Sequence, residues 1–285
     1  MFEKTKNKTS KGTALITGAS SGIGAIYADR LAKRGHELIL VARSQERLDS
    51  LAKRITDETG RSVEVIVADL TDKADQARIE HVLHTDARIT LLVNNAGVIA
   101  PTPLLSSDID RLDRMIELNV TALVRLTYAI LPAFVKRGSG AIINIFSVAA
   151  IVPEVLNGVY DGTKAFVLAF SLSVHKEFAK SNIRVQAVLP GLTTTDFWNT
   201  AGTPLDSALT LTLDKPSEML MKPDDVVDAA LDGFDQGELV TIPSLPDIAD
   251  WEAYEAARRN LFPKLSLKSP AARYGVAALN SIGSR

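Results

Sequence analysis

The sequence predicts a doubly wound α/β fold, in which a parallel sheet of about seven strands carries helices on both faces. Short continuous apolar runs alternate with longer amphipathic stretches from residue 13 to about residue 242. That alternation is typical of strands that helices bury on both sides. A glycine-rich turn, TGASSGIG at 17–24, follows the first apolar run. Such a turn is typical of the step from the first strand into the first helix of this fold.

Each element follows from its own local pattern. Apolar runs predict strands at 13–17, 37–42, 63–70, 89–97, 141–147, 183–191 and 239–242. The first helix follows the glycine turn and closes at Gly35, and the second ends on Gly60, because glycine commonly stops a helix. Further helices are predicted at 72–84, 106–136, 157–180 and 223–235, and the Trp-, Tyr- and Arg-rich segment 247–262 predicts an additional one.

Composition predicts one soluble domain over 13–285, preceded by a flexible basic leader at 1–12. The 285 residues carry a formal net charge of −2, which gives no electrostatic reason to expect a nucleic-acid partner. Cysteine is absent, which excludes disulfides, zinc–thiolate sites and a cysteine nucleophile. The leader lacks the apolar region of a signal peptide, and no membrane-length apolar run is free of charge, Pro or Gly. We therefore expect a cytoplasmic protein without a membrane partner.

The pentapeptide YDGTK at 160–164 places a phenol and an ammonium four residues apart. On a helix these two positions lie on one face, about a turn apart. A nearby positive charge favours the phenolate form of tyrosine, so the pair indicates a tyrosine that exchanges protons near neutral pH. The competing interpretation is a surface tyrosine and a solvated lysine that share this spacing by coincidence.

The glycine turn at 17–24 indicates a phosphate site. A turn without side chains lets the backbone approach a pyrophosphate, which then lies at the positive end of the following helix. Gly18, Gly22 and Gly24 are spaced differently from the G-x-G-x-x-G pattern, so a turn selected only for helix–strand packing is the alternative.

Taken together, these motifs resemble the short-chain dehydrogenase/reductase family in its single-domain branch, whose fold is of the Rossmann type. The family pattern T-G-x-x-x-G-x-G matches residues 17–24, and N-N-A-G matches residues 94–97. Ser147 follows the fifth strand and precedes Tyr160 by thirteen residues, and Tyr160 and Lys164 match Y-x-x-x-K. The helix asparagine of the family matches Asn119, and its proline-glycine and threonine after the sixth strand match Pro190, Gly191 and Thr195. The resemblance covers about residues 13–242.

The resemblance implies a carbonyl reductase or alcohol dehydrogenase with four catalytic residues. Tyr160 would give a proton to a carbonyl oxygen as hydride reaches its carbon, and Lys164 would lower the pKa of Tyr160 and hold the nicotinamide ribose. Ser147 would donate a hydrogen bond to the same oxygen. Asn119 would position a water that connects Lys164 to solvent.

The resemblance also implies a nicotinamide dinucleotide as cofactor and a small carbonyl compound or alcohol as substrate. The cofactor-binding residues it implies are Gly18, Ser20, Ser21, Gly22, Ile23, Gly24, Arg43, Asp69, Leu70, Asn95, Ala96, Gly97, Tyr160, Lys164, Pro190, Gly191, Thr193 and Thr195. Substrate choice is assigned to the segments 149–157 and 192–222, where Asp196, Phe197 and Trp198 are candidate pocket residues; anchoring a loop is the alternative for these aromatic residues.

The residues after the second strand predict NADP(H) rather than NAD(H). An NAD enzyme of this fold normally has Asp or Glu there, accepting hydrogen bonds from the ribose hydroxyls. This chain has Ala42 and then Arg43, nineteen residues after Gly24. A guanidinium binds a 2′-phosphate with two parallel hydrogen bonds, and Ser44 is a further donor. A solvated arginine that caps the strand is the alternative.

Two departures from the family pattern accompany these matches. Asp161 and Gly162 stand where the family commonly has small residues such as Ala and Ser. A mid-helix glycine costs about 1 kcal/mol relative to alanine, which suggests close packing or local flexibility beside the site. His81 and His84 are spaced as a possible metal pair, but no third ligand is identifiable, so we expect two solvated histidines and no metal site.

Three hypotheses about function follow. The leading one is an NADP(H)-dependent oxidoreductase. A non-catalytic dinucleotide-sensing protein is the second, although a sensor needs no proton donor. A sugar-nucleotide epimerase of the longer branch is the third, although about 45 residues after the last strand are too few for its larger substrate domain.

Apolar residues on more than one face of helices 106–136 and 157–180 further predict a homodimer or homotetramer. Those residues are Leu123, Leu126, Ile130, Phe166, Phe170 and Leu172.

Overall fold

Seven parallel strands form one sheet in the computed structural model, which describes residues 10–99, 102–153, 158–195 and 219–275. The strands are β1 (Thr13–Thr17), β2 (Glu37–Ala42), β3 (Val63–Val67), β4 (Ile89–Asn94), β5 (Gly140–Ile145), β6 (Ile183–Val188) and β7 (Val240–Thr241). Their order is β3-β2-β1-β4-β5-β6-β7, and every neighbouring pair is parallel. The predicted Rossmann-type fold is confirmed.

Helices cover both faces of this sheet. They are α1 (Gly22–Lys33), α2 (Gln45–Thr59), α3 (Lys73–Thr85), α4 (Ile109–Ile116), α5 (Leu123–Arg137), α6 (Gly158–Glu177) and α7 (Pro223–Gln236). Apolar side chains of α1, α2 and α7 pack on one face, and those of α3 and α5 pack on the other. Alternate β1 residues serve the two faces, because Ala14 and Ile16 belong to the first cluster and Leu15 to the second. Each fully buried large aliphatic side chain contributes about 1.5–3 kcal/mol of transfer free energy.

Helix ends follow the local sequence signals. The Asp72 carboxylate accepts hydrogen bonds from the amides of Ala74 and Asp75, both at 2.9 Å, and so begins α3. Helix α2 ends at Gly60, which has a φ of 70°, and α7 ends at Gly237 with a φ of 86°. Glycine adopts this left-handed conformation without steric cost, which explains the predicted stop at Gly60 and the end of α7 at Gly237.

Most predicted strands are longer than the observed ones at their carboxyl ends. The third, fourth, fifth and sixth strands stop two or three residues early, at Val67, Asn94, Ile145 and Val188. The residues beyond these points leave the ladder and form loops at the carboxyl edge. Ligands of such sheets bind beyond that edge, and apolar residues of these loops, such as Ala68 and Leu70, are buried in the core without being paired in the sheet.

The predicted helix 106–136 is a composite. A π-helical turn, Glu117–Ala122, separates α4 from α5 and contains Asn119. π-Turns inside α-helices occur frequently at functional sites. By length and composition the helical segment Ile109–Arg137 could cross a membrane, but Arg125 and Pro132 interrupt its apolar stretch, so the expectation of no uninterrupted run of membrane length stands. Half of its most apolar stretch is buried in the protein, and a core helix of a soluble protein can be equally long and apolar.

The chain divides into two compact units at Ser244/Leu245, and the single domain over 13–285 stays a prediction. In the second unit, helix α8 (Ile248–Leu261) lies where the sequence predicted a helix at 247–262. Asp247 begins α8 by accepting a hydrogen bond from the Ala249 amide at 2.9 Å. Trp251 stacks on Tyr254, with ring centroids 5.3 Å apart, and Glu255 pairs with Arg258 at 2.8 Å.

Candidate active site

The loops after β1 and β4 meet where the strand order reverses, and hydrogen bonds tie them together. The Thr17 hydroxyl accepts from the backbone amides of Asn95 and Ala96, both at 3.0 Å. In return the Asn95 side-chain amide donates to the carbonyl oxygens of Thr17, at 2.9 Å, and Gly18, at 3.1 Å. The first asparagine of the NNAG loop, Asn94, instead lies in β4 and is buried. This crevice is the ligand site expected for the fold.

Close approaches explain the glycines of the first turn. Gly18 has a φ of 64°, and a Cβ there would lie 2.9 Å from the Ala96 Cα. Gly22 has a φ of 53°, and its Cβ would lie 3.2 Å from the Thr195 side chain. A Cβ on Gly24 would collide with the carbonyl oxygen of Gly18. Packing alone therefore accounts for part of the motif, as the alternative interpretation held.

The start of α1 nevertheless fits an anion. Ser21 precedes the helix and its hydroxyl makes no capping hydrogen bond, and the first turn contains no acidic residue. Among the described residues, the amide groups of Gly22, Ile23 and Gly24 thus have no side-chain acceptor, while the helix dipole adds positive potential. Ser20 is half-buried in the same turn. The donor set suits the pyrophosphate of a dinucleotide.

The four predicted catalytic residues come together from three elements. Ser147 follows β5, and its side chain is hydrogen-bonded to Tyr160 of α6. The Lys164 Nζ lies 5.2 Å from the centre of the Tyr160 ring, one turn along the same helix. A Cβ on Gly97 would lie 3.1 Å from the Asn119 Oδ1 and 3.5 Å from the Lys164 Nζ, so Asn119 and Lys164 both border this glycine.

Asn119 holds the loop after β4. Its Oδ1 accepts from the Val98 amide and its Nδ2 donates to the Val98 carbonyl oxygen, both at 2.9 Å. The Nδ2 also donates to the Thr163 hydroxyl at 3.2 Å. The Asn119 side chain therefore fixes the loop relative to α6, and the expected water between Asn119 and Lys164 stays a prediction.

Burial shifts the pKa values of the Tyr160–Lys164 pair in opposite directions. Burial raises the pKa of Tyr160, the Ser147 hydrogen bond lowers it, and the Asp161 charge raises it again. Burial lowers the pKa of Lys164 to about 8. The sequence predicted a Tyr160 pKa lowered by Lys164. In the structure, desolvation instead raises the Tyr160 pKa above its ordinary value.

The loops after β2 and β3 form the far end of the crevice. Arg43 follows Ala42 and its side chain is 70% exposed, with the Nη1 4.0 Å from the Asp69 carboxylate. An exposed pair at this distance contributes little binding energy, so the guanidinium remains available to a ligand. Leu70 is buried, which leaves its backbone as the group that a cofactor could contact. The Ser44 hydroxyl caps α2.

The loop after β6 closes the crevice from the other side. The Pro190 carbonyl oxygen accepts from the Val148 amide at 3.0 Å, which ties this loop to the residue after Ser147. The Thr193 hydroxyl donates to the Gly191 carbonyl oxygen at 3.1 Å. Thr195 lies against Gly22. The candidate pocket residues at 196–198 lie outside the described residues.

Tyr160 is surrounded by apolar side chains. Tyr160 belongs to a buried cluster with Ile99, Leu112, Met115 and Ala149. Val98, Val159 and Leu192 pack against this cluster while remaining partly exposed. The described part of the site thus presents aliphatic groups beside the Tyr160 side chain.

Some neighbours of the site were not predicted. Thr163 accepts from Asn119, and its hydroxyl donates to the Tyr160 carbonyl oxygen at 2.7 Å. A threonine one residue before the motif lysine is the only signal that the sequence held. Asp161 is fully buried, whereas a charged residue on a helix ordinarily faces solvent.

Gly162 is exposed, and a Cβ there would meet nothing within 4 Å. The suggestion of close packing at this glycine is therefore wrong.

The two histidines of α3 lie at the protein surface. His81 and His84 are both exposed. Within the described ranges no group of three or more His, Cys, Asp or Glu side chains is arranged to hold a metal ion.

Comparison with known proteins gives one family. A family model described as short chain dehydrogenase matches residues 12–205. The very-long-chain 3-oxoacyl-CoA reductase of the duck Anas platyrhynchos is 40% identical over 182 residues. That match spans 62% of this chain and only 58% of the duck protein.

Solved structures match more of the chain. A short-chain dehydrogenase from Sphingobium yanoikuyae, in complex with NADPH, has a TM-score of 0.86 and 48% identity, over 92% of this chain and 100% of that one. The bulky-bulky ketone specific alcohol dehydrogenase from Comamonas testosteroni has a TM-score of 0.83 and 41% identity, over 93% of this chain and 99% of that one.

Proposed function

Because this chain belongs to the short-chain dehydrogenase family, we propose that it is an NADP(H)-dependent oxidoreductase that interconverts carbonyl compounds and secondary alcohols. The observation that carries the proposal is the convergence of Ser147, Tyr160 and Lys164 at the carboxyl edge of the sheet. A sensor of dinucleotides needs the crevice but not this set. Steady oxidation of NADPH in the presence of ketones distinguishes an enzyme from such a sensor.

Tyr160, Ser147 and Lys164 have different roles in the reaction at the carbonyl oxygen. The bound nicotinamide supplies the hydride. Tyr160, which burial keeps protonated, donates its phenolic proton to the carbonyl oxygen, and Ser147 donates a hydrogen bond to that same oxygen. With a pKa of about 8, Lys164 is mostly charged at pH 7 and stabilises the phenolate that remains on Tyr160. The carbonyl carbon gains hydride, the oxygen gains the proton, and an alcohol results.

Substitution of the proton donor tests this assignment. Tyr160→Phe keeps the buried ring and removes the hydroxyl, so kcat/KM should fall by about 10²–10⁴-fold while NADPH affinity stays near normal. Tyr128→Phe is the matched control, since it removes a hydroxyl from a tyrosine that is 77% exposed on α5. Near-normal turnover in Tyr160→Phe would show that another group donates the proton.

Preference for NADP(H) is supported by the end of β2. Ala42 leaves no carboxylate to repel a 2′-phosphate, and the Arg43 guanidinium is exposed beside it. The Sphingobium relative binds NADPH, which agrees with this reading of the residues.

A double substitution tests the cofactor preference. We expect kcat/KM to be at least about tenfold higher with NADPH than with NADH, equivalent to about 1.4 kcal/mol. Ala42→Asp with Arg43→Ala should abolish that ratio. Arg88→Ala, which removes an exposed arginine before β4, should leave the ratio unchanged. A wild type that favours NADH would contradict the role of Arg43.

We further propose that the substrates carry apolar groups on the carbonyl carbon. The aliphatic side chains around Tyr160 offer no hydrogen bonds to a hydroxylated substrate, and a polar substituent buried among them would lose its hydration. The ketone specificity of the Comamonas relative points the same way. A panel of ketones and sugars of matched size, assayed with NADPH, should show the higher kcat/KM for the ketones.

A further inference from the structure

Exposed apolar side chains cluster near the end of the described chain. Leu261, Phe262, Leu265, Leu267 and Tyr274 are between 52% and 79% exposed. They make up five of the sixteen large apolar side chains that are exposed within the described residues, yet they fall within fourteen consecutive positions. Single exposed apolar residues are ordinary, whereas a dense group marks an interaction surface.

The same stretch is strongly basic. We define the basic C-terminal segment as residues 258–275, which contain Arg258, Arg259, Lys264, Lys268 and Arg273 and no acidic residue. The whole chain, in contrast, has a net charge of −2. Glu255, just before the segment, pairs with Arg258 at 2.8 Å and with Arg259 at 3.5 Å.

The lysines of the segment are not neutralised. Within the part of the chain that the structure describes, no carboxylate pairs with Lys264 or Lys268. Their positive charge therefore faces the solvent between the exposed side chains of Phe262, Leu265 and Leu267. A partner that complements this surface needs both negative charge and apolar groups.

We propose that the basic C-terminal segment binds the surface of an anionic lipid bilayer. Lys264, Lys268 and Arg273 attract the lipid phosphates, and the leucines and Phe262 enter the boundary between headgroups and acyl chains. Nucleic acid would use the basic residues but leave three leucines exposed to water. An acidic protein groove that accepts one amphipathic helix does not suit a segment that leaves helical geometry at Leu261 and continues in short 3₁₀ turns.

Peripheral binding of this kind requires no helix that spans the membrane. The proposal departs from the sequence-based expectation in one respect, since that expectation included no membrane partner. It is independent of the proposed reaction. For a ketone reductase with apolar substrates it would place the enzyme where such compounds accumulate, since apolar molecules partition into bilayers.

Sedimentation with vesicles tests the proposal on the full chain. We expect binding to vesicles of about 70% phosphatidylcholine and about 30% phosphatidylglycerol, and little binding to pure phosphatidylcholine. Salt at about 0.5 M should abolish the binding, because it screens the attraction between the basic residues and the lipid phosphates. Each basic residue near such a surface contributes a factor of about five in the binding constant. Lys264→Glu with Lys268→Glu should therefore weaken binding at least about 25-fold.

Two further variants separate the contributions. Phe262→Ser with Leu265→Ser should weaken binding to anionic vesicles while leaving its salt dependence in place. Lys73→Glu with Lys180→Glu makes the same charge change at exposed lysines outside the segment and should bind like the wild type.

Three results would overturn the proposal. They are absence of phosphatidylglycerol-dependent sedimentation, equal loss of binding in the control pair, and a change of oligomeric state in the segment variants without vesicle binding by the wild type. The last result would identify the segment as a contact between copies of the chain.

Discussion

Tyr160 and Lys164 show how one physical cause acts oppositely on an acid and a base. Burial removes water from both side chains and disfavours whichever form carries charge. The pKa of the tyrosine therefore rises, and that of the lysine falls to about 8. Asp161, fully buried beside Tyr160, raises the tyrosine pKa further. This carboxylate is the least expected component of the site.

Removal of the Asp161 charge should change the pH profile of alcohol oxidation. In the proposed reaction, alcohol oxidation uses the phenolate of Tyr160 as base, so we expect its kcat/KM to rise with pH through the tyrosine pKa. A negative neighbour disfavours the phenolate, so Asp161→Asn should lower that pKa and move the rising limb to lower pH. Each pH unit by which the limb moves would raise kcat/KM about tenfold below it.

The measurement is kcat/KM for a secondary alcohol with NADP⁺ between about pH 6 and about pH 10. NADP⁺ affinity and the thermal midpoint serve as controls for correct folding. A limb that stays in place, or moves to higher pH, would show that the Asp161 charge does not act on Tyr160.

At the scale of elements, a buried chain of hydrogen bonds joins β4, β5 and α6. The Asn94 side-chain amide donates to the Asn144 Oδ1 at 2.9 Å, and the Asn144 amide donates to the Ser171 hydroxyl at 2.9 Å. Asn144 lies three residues before Ser147, and Ser171 lies on the helix that carries Tyr160. These hydrogen bonds therefore hold α6 in place relative to β5, the strand that precedes Ser147. Buried polar groups of this kind are costly unless paired.

Gly162 lowers the stability of helix α6, and this position can be substituted. A Cβ at this exposed position meets nothing, so Gly162→Ala should recover the cost of a mid-helix glycine, about 0.5–1 kcal/mol. The thermal midpoint of reversible unfolding should rise by about 1–4 °C. Gly24→Ala is the contrasting variant, because its Cβ would collide with the Gly18 carbonyl oxygen, and it should lower the midpoint. A midpoint that falls in Gly162→Ala would indicate packing that the structure does not show.

At the scale of the whole molecule, α5 and α6 separate the residues that cover the sheet from those that face outwards. Leu123, Leu126 and Ile130 are buried, so they serve the core and are not available for a subunit contact. Tyr128 and Phe166 are 77% and 42% exposed, and Phe166 stacks on Phe170 with ring centroids 6.0 Å apart. We propose that these outward-facing aromatic residues form the contact between copies of the chain.

Light scattering tests this assembly. The wild type should have a mass of at least twice the 30.7 kDa chain at micromolar concentration, and Phe166→Glu with Tyr128→Glu should shift it towards the monomer. Leu105→Glu introduces one such negative charge at a fully exposed apolar residue outside these helices and should leave the mass unchanged. A wild-type mass near that of one chain would contradict the proposal.

The sequence alone determined the fold class, the order of the elements and the motif positions along the chain. These properties depend on local signals: apolar runs of strand length, glycines that end helices, and the glycine turn at 17–24. Only the tertiary structure decided where strands yield to loops, that a π-turn carries Asn119, and that Asp161 is buried. It also decided the direction of the Tyr160 pKa shift, since desolvation and charge at one atom depend on residues that are distant in the chain and close in space.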